Sequence, residues 1–375
     1  MKPDVIRPGQ TIGILGGGQL GRMMAVAARH MGYKIAVMDP VEACPCAPVA
    51  DEHIIAAYDD VEAAERLSQI SDVITYEFEN VDLKVARLFE EAGRLPQGAY
   101  ALEITQNREK EKAIAVEAGL SVPDYRIVTT FNQCEKALEE IPFPVVMKTI
   151  SGGYDGKGQL KIEGEDQLDE VRSFMKEGGT YIVEEWIYFN QEISQVFTRS
   201  QDGRITSFPL AENIHKNHIL HETRVPAEVP GGVVHKAREA VEALAEKIGV
   251  VGTFAVEMFV RGEDIYINEM APRPHNSGHY TIEACSVSQF EQHIRAICGL
   301  PLLPVYTFGA AVMVNVLGKH KGILIDRIEK YEGCHIHDYG KHESRTNRKM
   351  GHLTFIGNNL EEIDERIQQN QIHLW

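Results

Sequence analysis

Short apolar runs alternate with helix-period segments through the first hundred residues, and that alternation admits few folds besides a parallel sheet flanked by helices. Thr11–Leu15, Lys34–Met38 and Val73–Tyr76 read as buried strands. Between and after them, Gln19–Met31, Val61–Ile70 and Val81–Ala92 carry helical spacing, the last stopped by Gly93. These elements define an α/β domain over residues 1–102.

The chain has 375 residues, more than one hydrophobic core accommodates, so two or three domains are expected. Asn107–Ala118 is a charged helix stopped by Gly119, and Ser121-Val-Pro123 reads as a connector. Within a second domain over 103–304, residues of about 124–187 read strand, helix, strand, Gly-rich loop, strand, helix, strand, the pattern of a small α+β lobe. Beyond it come two strands around Asp202-Gly203, a His-rich stretch at 213–221, a helix over Val233–Ile248, and a hairpin turning at Arg261-Gly-Glu-Asp264. A mostly β third piece over 305–375 holds strands Ala310–Leu317, His335–Tyr339 and His352–Ile356, then a helix over Leu360–Gln369.

The net charge of −17, without a run of five Lys or Arg, argues against nucleic acid or an anionic membrane as partner. The N-terminal MKPDVIRPGQ lacks an apolar core, and Phe308–Leu317 is too short to span a bilayer and is broken by Asn315, so a cytoplasmic location is expected. Six cysteines without paired C-x-x-C knuckles read as reduced thiols, and Cys44-Pro45-Cys46 has nothing nearby to complete a redox or metal site.

Five constellations carry potential chemistry. Gly16-Gly17-Gly18-Gln19-Leu20-Gly21 joins a strand to a helix and satisfies G-x-G-x-x-G, with Asp39 at the end of the next strand where a ribose-binding acid would sit. Taken alone, the loop suits a dinucleotide, another phosphate-bearing ligand, or a plain strand-to-helix turn. A second loop, Ser151 to Gln159, sets four glycines and Lys157 between two strands, with Lys148 just upstream; such a flap suits a polyphosphate but is not a Walker A sequence. On the hairpin, an odd loop places Glu257 opposite Glu269, whereas an even loop places Asn268 there. Either register sets hard oxygen donors face to face among apolar neighbours, which calls for a divalent cation such as magnesium. Ala271-Pro-Arg-Pro-His-Asn-Ser-Gly-His279 is too polar for a core element, so Arg273 is available for a phosphate or carboxylate; its histidine spacing, like that of His215, His218 and His221, is a poor zinc pattern. Arg345-Thr-Asn-Arg-Lys-Met-Gly-His352 is basic in an acidic chain, and Glu77-Phe-Glu79 ends the third strand at the sheet edge where ligands bind.

In this order, Gly16-Gly-Gly-Gln-Leu-Gly-Arg-Met23, Tyr76-Glu-Phe-Glu-Asn80, Gly152-Gly-Tyr-Asp-Gly-Lys-Gly-Gln159, Asn268-Glu-Met-Ala-Pro-Arg-Pro-His-Asn-Ser-Gly-His279 and Arg348-Lys-Met-Gly-His352 resemble the ATP-grasp superfamily. Within it, the chain resembles the N5-carboxyaminoimidazole ribonucleotide synthases of purine biosynthesis. The resemblance implies an ATP-grasp fold with an N-terminal parallel-sheet domain, a two-lobed central domain and a small, mostly β C-terminal domain. It implies an ATP-dependent carbon–nitrogen ligase that carboxylates 5-aminoimidazole ribonucleotide with bicarbonate through carboxyphosphate, and a homodimer. By the same resemblance, Gln19, Leu20 and Glu77 line the ribonucleotide side, and Arg273, His275, Asn276, Arg348 and Lys349 hold the ribonucleotide and its phosphate. ATP would take Arg108 and Lys148 near its phosphates and the loop Gly153, Tyr154, Asp155, Gly156, Lys157, Gly158 and Gln159 over them. Glu184, Glu185, Trp186 and Ile187 would lie along the adenine, with Glu192 at the ribose and His215 nearby. Glu257 and Glu269 would carry magnesium, two ions in all, with Asn268 beside them; where many relatives place an Asn two residues after the second Glu, this chain has Ala271. Asp155 would hydrogen-bond the substrate amine, and Tyr154 and Lys157 would neighbour bicarbonate. The rivals are a formate-dependent glycinamide ribonucleotide transformylase, disfavoured by Gln19 and by the Arg348-Lys-Met-Gly-His352 ending, a nicotinamide oxidoreductase, and a non-catalytic nucleotide sensor.

Overall fold

A computed structural model describes residues 5–152, 158–176 and 178–372. Among the described residues the strands form three sheets. The first is parallel, in the order β3-β2-β1-β4, and contains β1 (Thr11–Leu15), β2 (Lys34–Met38), β3 (Glu52–Ile54) and β4 (Val73–Tyr76). Helices α1 (Gln19–His30), α2 (Val61–Ile70) and α3 (Leu83–Glu91) connect these strands or follow them. The third helix starts two residues later than its spacing suggests, because the Asp82 carboxylate caps it by accepting the Lys84 and Val85 N–H groups. Two further helices, α4 (Tyr100–Thr105) and α5 (Arg108–Glu117), lead out of this region, and Asn107 caps the second through the N–H groups of Glu109 and Lys110.

The small lobe follows the expected order: β5 (Tyr125–Val128), α6 (Phe131–Glu140), β6 (Val145–Thr149), β7 (Gln159–Ile162), α7 (Leu168–Phe174) and β8 (Tyr181–Glu185). Its antiparallel sheet runs β5-β8-β6-β7.

The rest of the chain builds one antiparallel sheet. It comprises β9 (Gln191–Arg199), β10 (Ile205–Ser207), β11 (Ala211–Lys216), β12 (Ile219–Val225), then after α8 (Gly231–Ile248) the hairpin β13 (Gly252–Arg261) and β14 (Asp264–Ala271). Short α9 (Thr281–Ala284) and α10 (Gln289–Ile297) precede β15 (Ala310–Leu317), α11 (Gly318–Asp326), β16 (Cys334–Asp338), β17 (Lys349–Gly357) and α12 (Leu360–Gln369). The strand order is β14-β13-β9-β11-β12-β15-β17-β16, with β10 beside β9, so the C-terminal strands continue the central sheet. The His-rich stretch is the β11–β12 hairpin, and Asn315 sits inside the fully buried β15, its amide donating to Leu220 O at 2.9 Å. Among the described residues no helix is long and apolar enough to cross a membrane.

The strand alternation divides the first domain's core between two faces. Ile12 and Ile14 of β1 pack with α1 and with Phe290, Ile294 and Ile297 of α10, while Leu15 packs with α2 and α3. A helix some 270 residues downstream of β1 thus completes this core, which ties the first sheet to the loop that precedes α10.

Candidate active site

The first Gly-rich loop is occupied by the protein itself. Glu77, at the end of β4, accepts the backbone N–H of Gly18 and, at 2.8 Å, that of Gly21, so its carboxylate sits on the N-terminus of α1. A Cβ at Gly16 or Gly18 would run into that side chain, and Gly16 has φ +100°, which suits glycine alone. Asp39 is likewise engaged: it accepts from Gly17 N–H and Tyr58 O–H, both at 2.7 Å, and from Val41 N–H at 2.8 Å. The position a pyrophosphate needs is filled and the ribose acid is spent, so the dinucleotide reading of this loop fails on geometry.

Beyond the loop opens a cleft of about 1080 Å³ lined by Gln19, Leu20, Glu77, Arg273, His275, Asn276, Arg348 and Lys349, every side chain expected on the ribonucleotide side. Lys341, Arg345 and Glu79, which the motifs did not single out for this role, line it too. Lys341 Nζ donates to Gln19 Oε1 at 2.6 Å and to Lys349 O at 2.7 Å, closing the cleft between the first sheet and β17. Arg273 forms an ion pair with Glu79 at 2.6 Å. Asn276 is buried, and neither its Oδ1 nor its Nδ2 has a partner among the described residues. Burial, together with Arg273 and Lys349, holds His275 well below the usual imidazole range, so the ring is neutral. Its Nδ1 meets Ser277 Oγ at 2.9 Å, and its Nε2 lies 3.7 Å from Glu257 Oε1.

The hairpin combines both registers considered above. Gly262 and Glu263 form an even loop between paired Arg261 and Asp264, and the even register continues to Met258 opposite Ile267. A bulge then absorbs Asn268, and Glu257 faces Glu269 directly. Glu257, Asn268, Glu192 and His215 line one small cavity. Asn213 of β11, which no sequence motif signalled, lines it as well. Burial pushes Glu257 up to about 7; His215 pulls it down, while Glu269 and Glu192 push it further up. His215 rises above its ordinary range despite burial, because the Glu192 carboxylate lies against its Nδ1. Carboxylates crowded in this way suit a hard divalent cation, and the donor set fits magnesium.

The phosphate side lies between β6, β8 and α5. Lys148 Nζ donates to Glu184 at 2.6 Å, and Lys112 Nζ lies 3.7 Å from the other oxygen of the same carboxylate. The Glu184 and Lys112 side chains are each 2% exposed. Burial works against the charged carboxylate, yet Lys112, Lys148 and Arg108 hold Glu184 down at about 2. Arg108 Nε is buried without a partner among the described residues. Ile187 is buried, Lys161 stands over the Trp186 ring at 4.5 Å, and Glu185 lies 3.5 Å from Arg261. Gln159 pairs with Lys148 across β6 and β7, and Gly158, at φ +73°, precedes it. Gly153, Tyr154, Asp155, Gly156 and Lys157 lie outside the described residues.

Glu283, His337 and His352 bring three possible metal-ligand atoms within 4.8 Å of one another. The two imidazoles stack with centroids 4.3 Å apart and planes at 12°, so their in-plane lone pairs run side by side instead of converging. This arrangement suits the His337–Glu283 hydrogen bond, not a chelate.

Comparison with known proteins extends the geometry. The ATP-grasp domain model matches residues 113–290, the ribonucleotide synthetase preATP-grasp domain matches 9–106, and the phosphoribosylaminoimidazole carboxylase C-terminal domain matches 311–366. The N5-carboxyaminoimidazole ribonucleotide synthase of Bacillus subtilis is 48% identical over 98% of this chain and 96% of its own. The crystal structure of the Staphylococcus aureus N5-carboxyaminoimidazole synthetase complexed with ADP is similar at TM-score 0.94 and 42% identity, over 98% of this chain and 99% of that one. An Aspergillus clavatus synthase in complex with ADP and 5-aminoimidazole ribonucleotide is similar at TM-score 0.90 and 27% identity, over 96% of this chain and 97% of that one.

Proposed function

This chain belongs to the N5-carboxyaminoimidazole ribonucleotide synthases of the ATP-grasp superfamily, and from that premise we propose how its residues divide the work. The reaction is the ATP-dependent carboxylation of 5-aminoimidazole ribonucleotide to N5-carboxyaminoimidazole ribonucleotide in purine biosynthesis, that of a carbon–nitrogen ligase. In our reading the cleft lined by Gln19, Arg273, Asn276, Arg348 and Lys349 takes the ribonucleotide, its phosphate held by the basic side chains. ATP lies between the small lobe and the β13–β14 hairpin, its phosphates toward Arg108 and Lys148. Glu257 and Glu269, with Asn268 beside them, hold magnesium, which when bound neutralises charge on the transferring phosphoryl group.

Bicarbonate is the carboxyl donor in this proposal. A bicarbonate oxygen attacks the γ-phosphorus and the bond to the β,γ-bridging oxygen breaks, giving carboxyphosphate and ADP. The exocyclic amine then attacks the carboxyl carbon directly, or as carbon dioxide released from carboxyphosphate; inorganic phosphate leaves and the amine loses a proton. Lys148 and Arg108 steady the charge of the first step, while neutral His275, against Glu257, lies where the cleft meets the cation. Tyr154, Asp155 and Lys157 remain our assignments for closing over the intermediate and excluding water. Division at 102/103 and 304/305, homodimerisation and a cytoplasmic location belong to the same proposal; the order of the matched family ranges, 9–106, 113–290 and 311–366, supports three parts, with the first match running four residues past 102.

The observation that carries this reading is the meeting of the Glu257–Glu269 register at His275 with the cleft lined by Gln19, Arg273, Asn276, Arg348 and Lys349. The test is ADP formation with each component omitted in turn. Formation that requires aminoimidazole ribonucleotide, bicarbonate and magnesium supports the reading; formation driven by formate with glycinamide ribonucleotide overturns it.

A further inference from the structure

The bulge that sets Glu257 opposite Glu269 lies on β14, the edge strand of the central sheet, so every backbone group pointing away from β13 must find a partner elsewhere. In a regular strand successive residues present their N–H and C=O groups to opposite edges. Ile267 faces outward: its N–H donates to Ser121 O at 2.8 Å, and its carbonyl accepts from Lys112 Nζ at 3.1 Å. Without a bulge, Asn268 and Met270 would then face β13. Instead, Asn268 O points outward and accepts from Lys112 Nζ at 2.9 Å, and Met270 N–H points outward and donates to Glu111 Oε1 at 2.6 Å. Glu111 and Lys112 are neighbours on α5, and both side chains are buried.

We propose that Glu111 and Lys112 are positioning residues for the metal site: they satisfy backbone groups that only the bulged register turns outward, and so hold Asn268 and Glu269 against Glu257. Their hydrogen bonds reach the site through the backbone of β14, and the Glu111 carboxyl also lies near enough to Glu269 for the two charges to repel. A carboxylate next to an ammonium matches this edge because one N–H and two carbonyls are presented side by side. In the unbulged register Glu111 would face no donor at Met270, Lys112 would lose the Asn268 carbonyl, and Glu269 would turn to the opposite side of the sheet. Lys112 also reaches Glu184 on β8, so the same side chain links the metal strand to the carboxylate that holds Lys148.

This inference rests on the assignment of a divalent cation to Glu257 and Glu269, and two measurements separate them. Manganese binding, followed by electron paramagnetic resonance of the free ion at saturating ADP, tests the site; hydrogen exchange at the Met270 amide tests the clamp without metal. Glu269→Gln is the reference for the site, and unchanged manganese affinity there removes the metal assignment and this inference with it. In Glu111→Leu and Lys112→Met we expect manganese affinity to fall roughly 10- to 100-fold, the usual size of an outer-shell loss. The KM for aminoimidazole ribonucleotide should stay within about twofold of wild type in both, because differential effects identify which interaction was removed. Glu111→Gln keeps an acceptor for Met270 N–H and should bind manganese within about threefold of wild type. The Met270 amide should exchange at least about tenfold faster in Glu111→Leu than in wild type or Glu111→Gln. Should Glu111→Leu fail to fold, Glu111→Asp decides, since its carboxylate falls short of the amide and should weaken manganese binding. Wild-type manganese affinity in folded Glu111→Leu or Glu111→Asp, with Glu269→Gln impaired, overturns the proposal, as does a Met270 amide that exchanges at the wild-type rate in Glu111→Leu.

Discussion

His275 Nε2 stands 3.7 Å from Glu257 Oε1, so the cleft lined by Gln19, Arg273 and Asn276 meets the Glu257–Glu269 pair at a side-chain contact. Arg348 also lines the cleft, on the basic segment just before β17. Replacing Arg348 with Gln should raise the KM for aminoimidazole ribonucleotide by about tenfold, the worth of ~1.4 kcal/mol, and leave the KM for ATP unchanged. Replacing His275 with Ala should move both constants and lower kcat as well. Steady-state kinetics with each substrate varied separates the two; equal responses of the two variants would contradict the shared contact.

Glu77 does for α1 what a phosphate does in dinucleotide-binding loops. Glu77→Ala should cost about 1–2 kcal/mol through the lost cap, or a few degrees in the first thermal transition. NAD should not raise the melting temperature of the wild-type protein, whereas ATP with magnesium should, by the increment expected of a ligand that binds only the folded state. Thermal shift measurements with both nucleotides check this directly.

Glu184 compensates one buried ammonium group and one partly exposed, and removing its charge is worse than removing one of its partners. Glu184→Gln should therefore destabilise the protein by about 3–5 kcal/mol, the usual cost of leaving a buried charge unpaired. Lys148→Met leaves Glu184 paired with Lys112, so stability should suffer less while ADP formation falls on the order of 10²-fold. Denaturant unfolding alongside the ADP assay distinguishes the two effects.

Acid should draw down the stability contributed by three buried imidazoles well above the carboxylate range. Burial lowers His293 to about 3, and it holds His279 and His352 well below the usual imidazole range, with neighbouring positive charges and imidazoles adding to the effect. The unfolded chain protonates these rings near pH 6.5 while the folded protein does not, so their contribution to stability is complete above that pH and falls as pH drops below it; Glu257 and Glu111, pushed up to about 7 and about 8 by burial, contribute in the opposite sense. For His293 the loss at pH 5 is about 2 kcal/mol. His293→Gln keeps an amide able to meet Thr75 Oγ1 and Thr253 N–H, and should raise the melting temperature at pH 5 relative to that at pH 6.5, compared with wild type.

The local pattern of the sequence was sufficient for β1, β2 and β4 of the first sheet and their helices, though not for the three-residue edge strand β3, and for the small lobe, Ala310–Leu317 and Leu360–Gln369, the last two with bounds that recur unchanged. Those features depend on side-chain period and on caps within a few residues, which any short window displays. Motif order likewise marked Gln19, Glu77, Arg273, Asn276, Arg348 and Lys349, which gather on one cleft.

The tertiary structure alone decided how such residues are used. Spacing left Glu257 opposite either Asn268 or Glu269, and the bulge resolves that choice through groups that α5 presents some 160 residues earlier in the chain. The Gly-rich loop looked ready for a phosphate because its occupant, Glu77, lies 59 residues from Gly18. The membership of α10 in the first core and the continuity of β15–β17 with the central sheet arise in the same way. Register and occupancy are settled by which distant polar groups must be paired once water is excluded, and a local window contains only one member of each such pair.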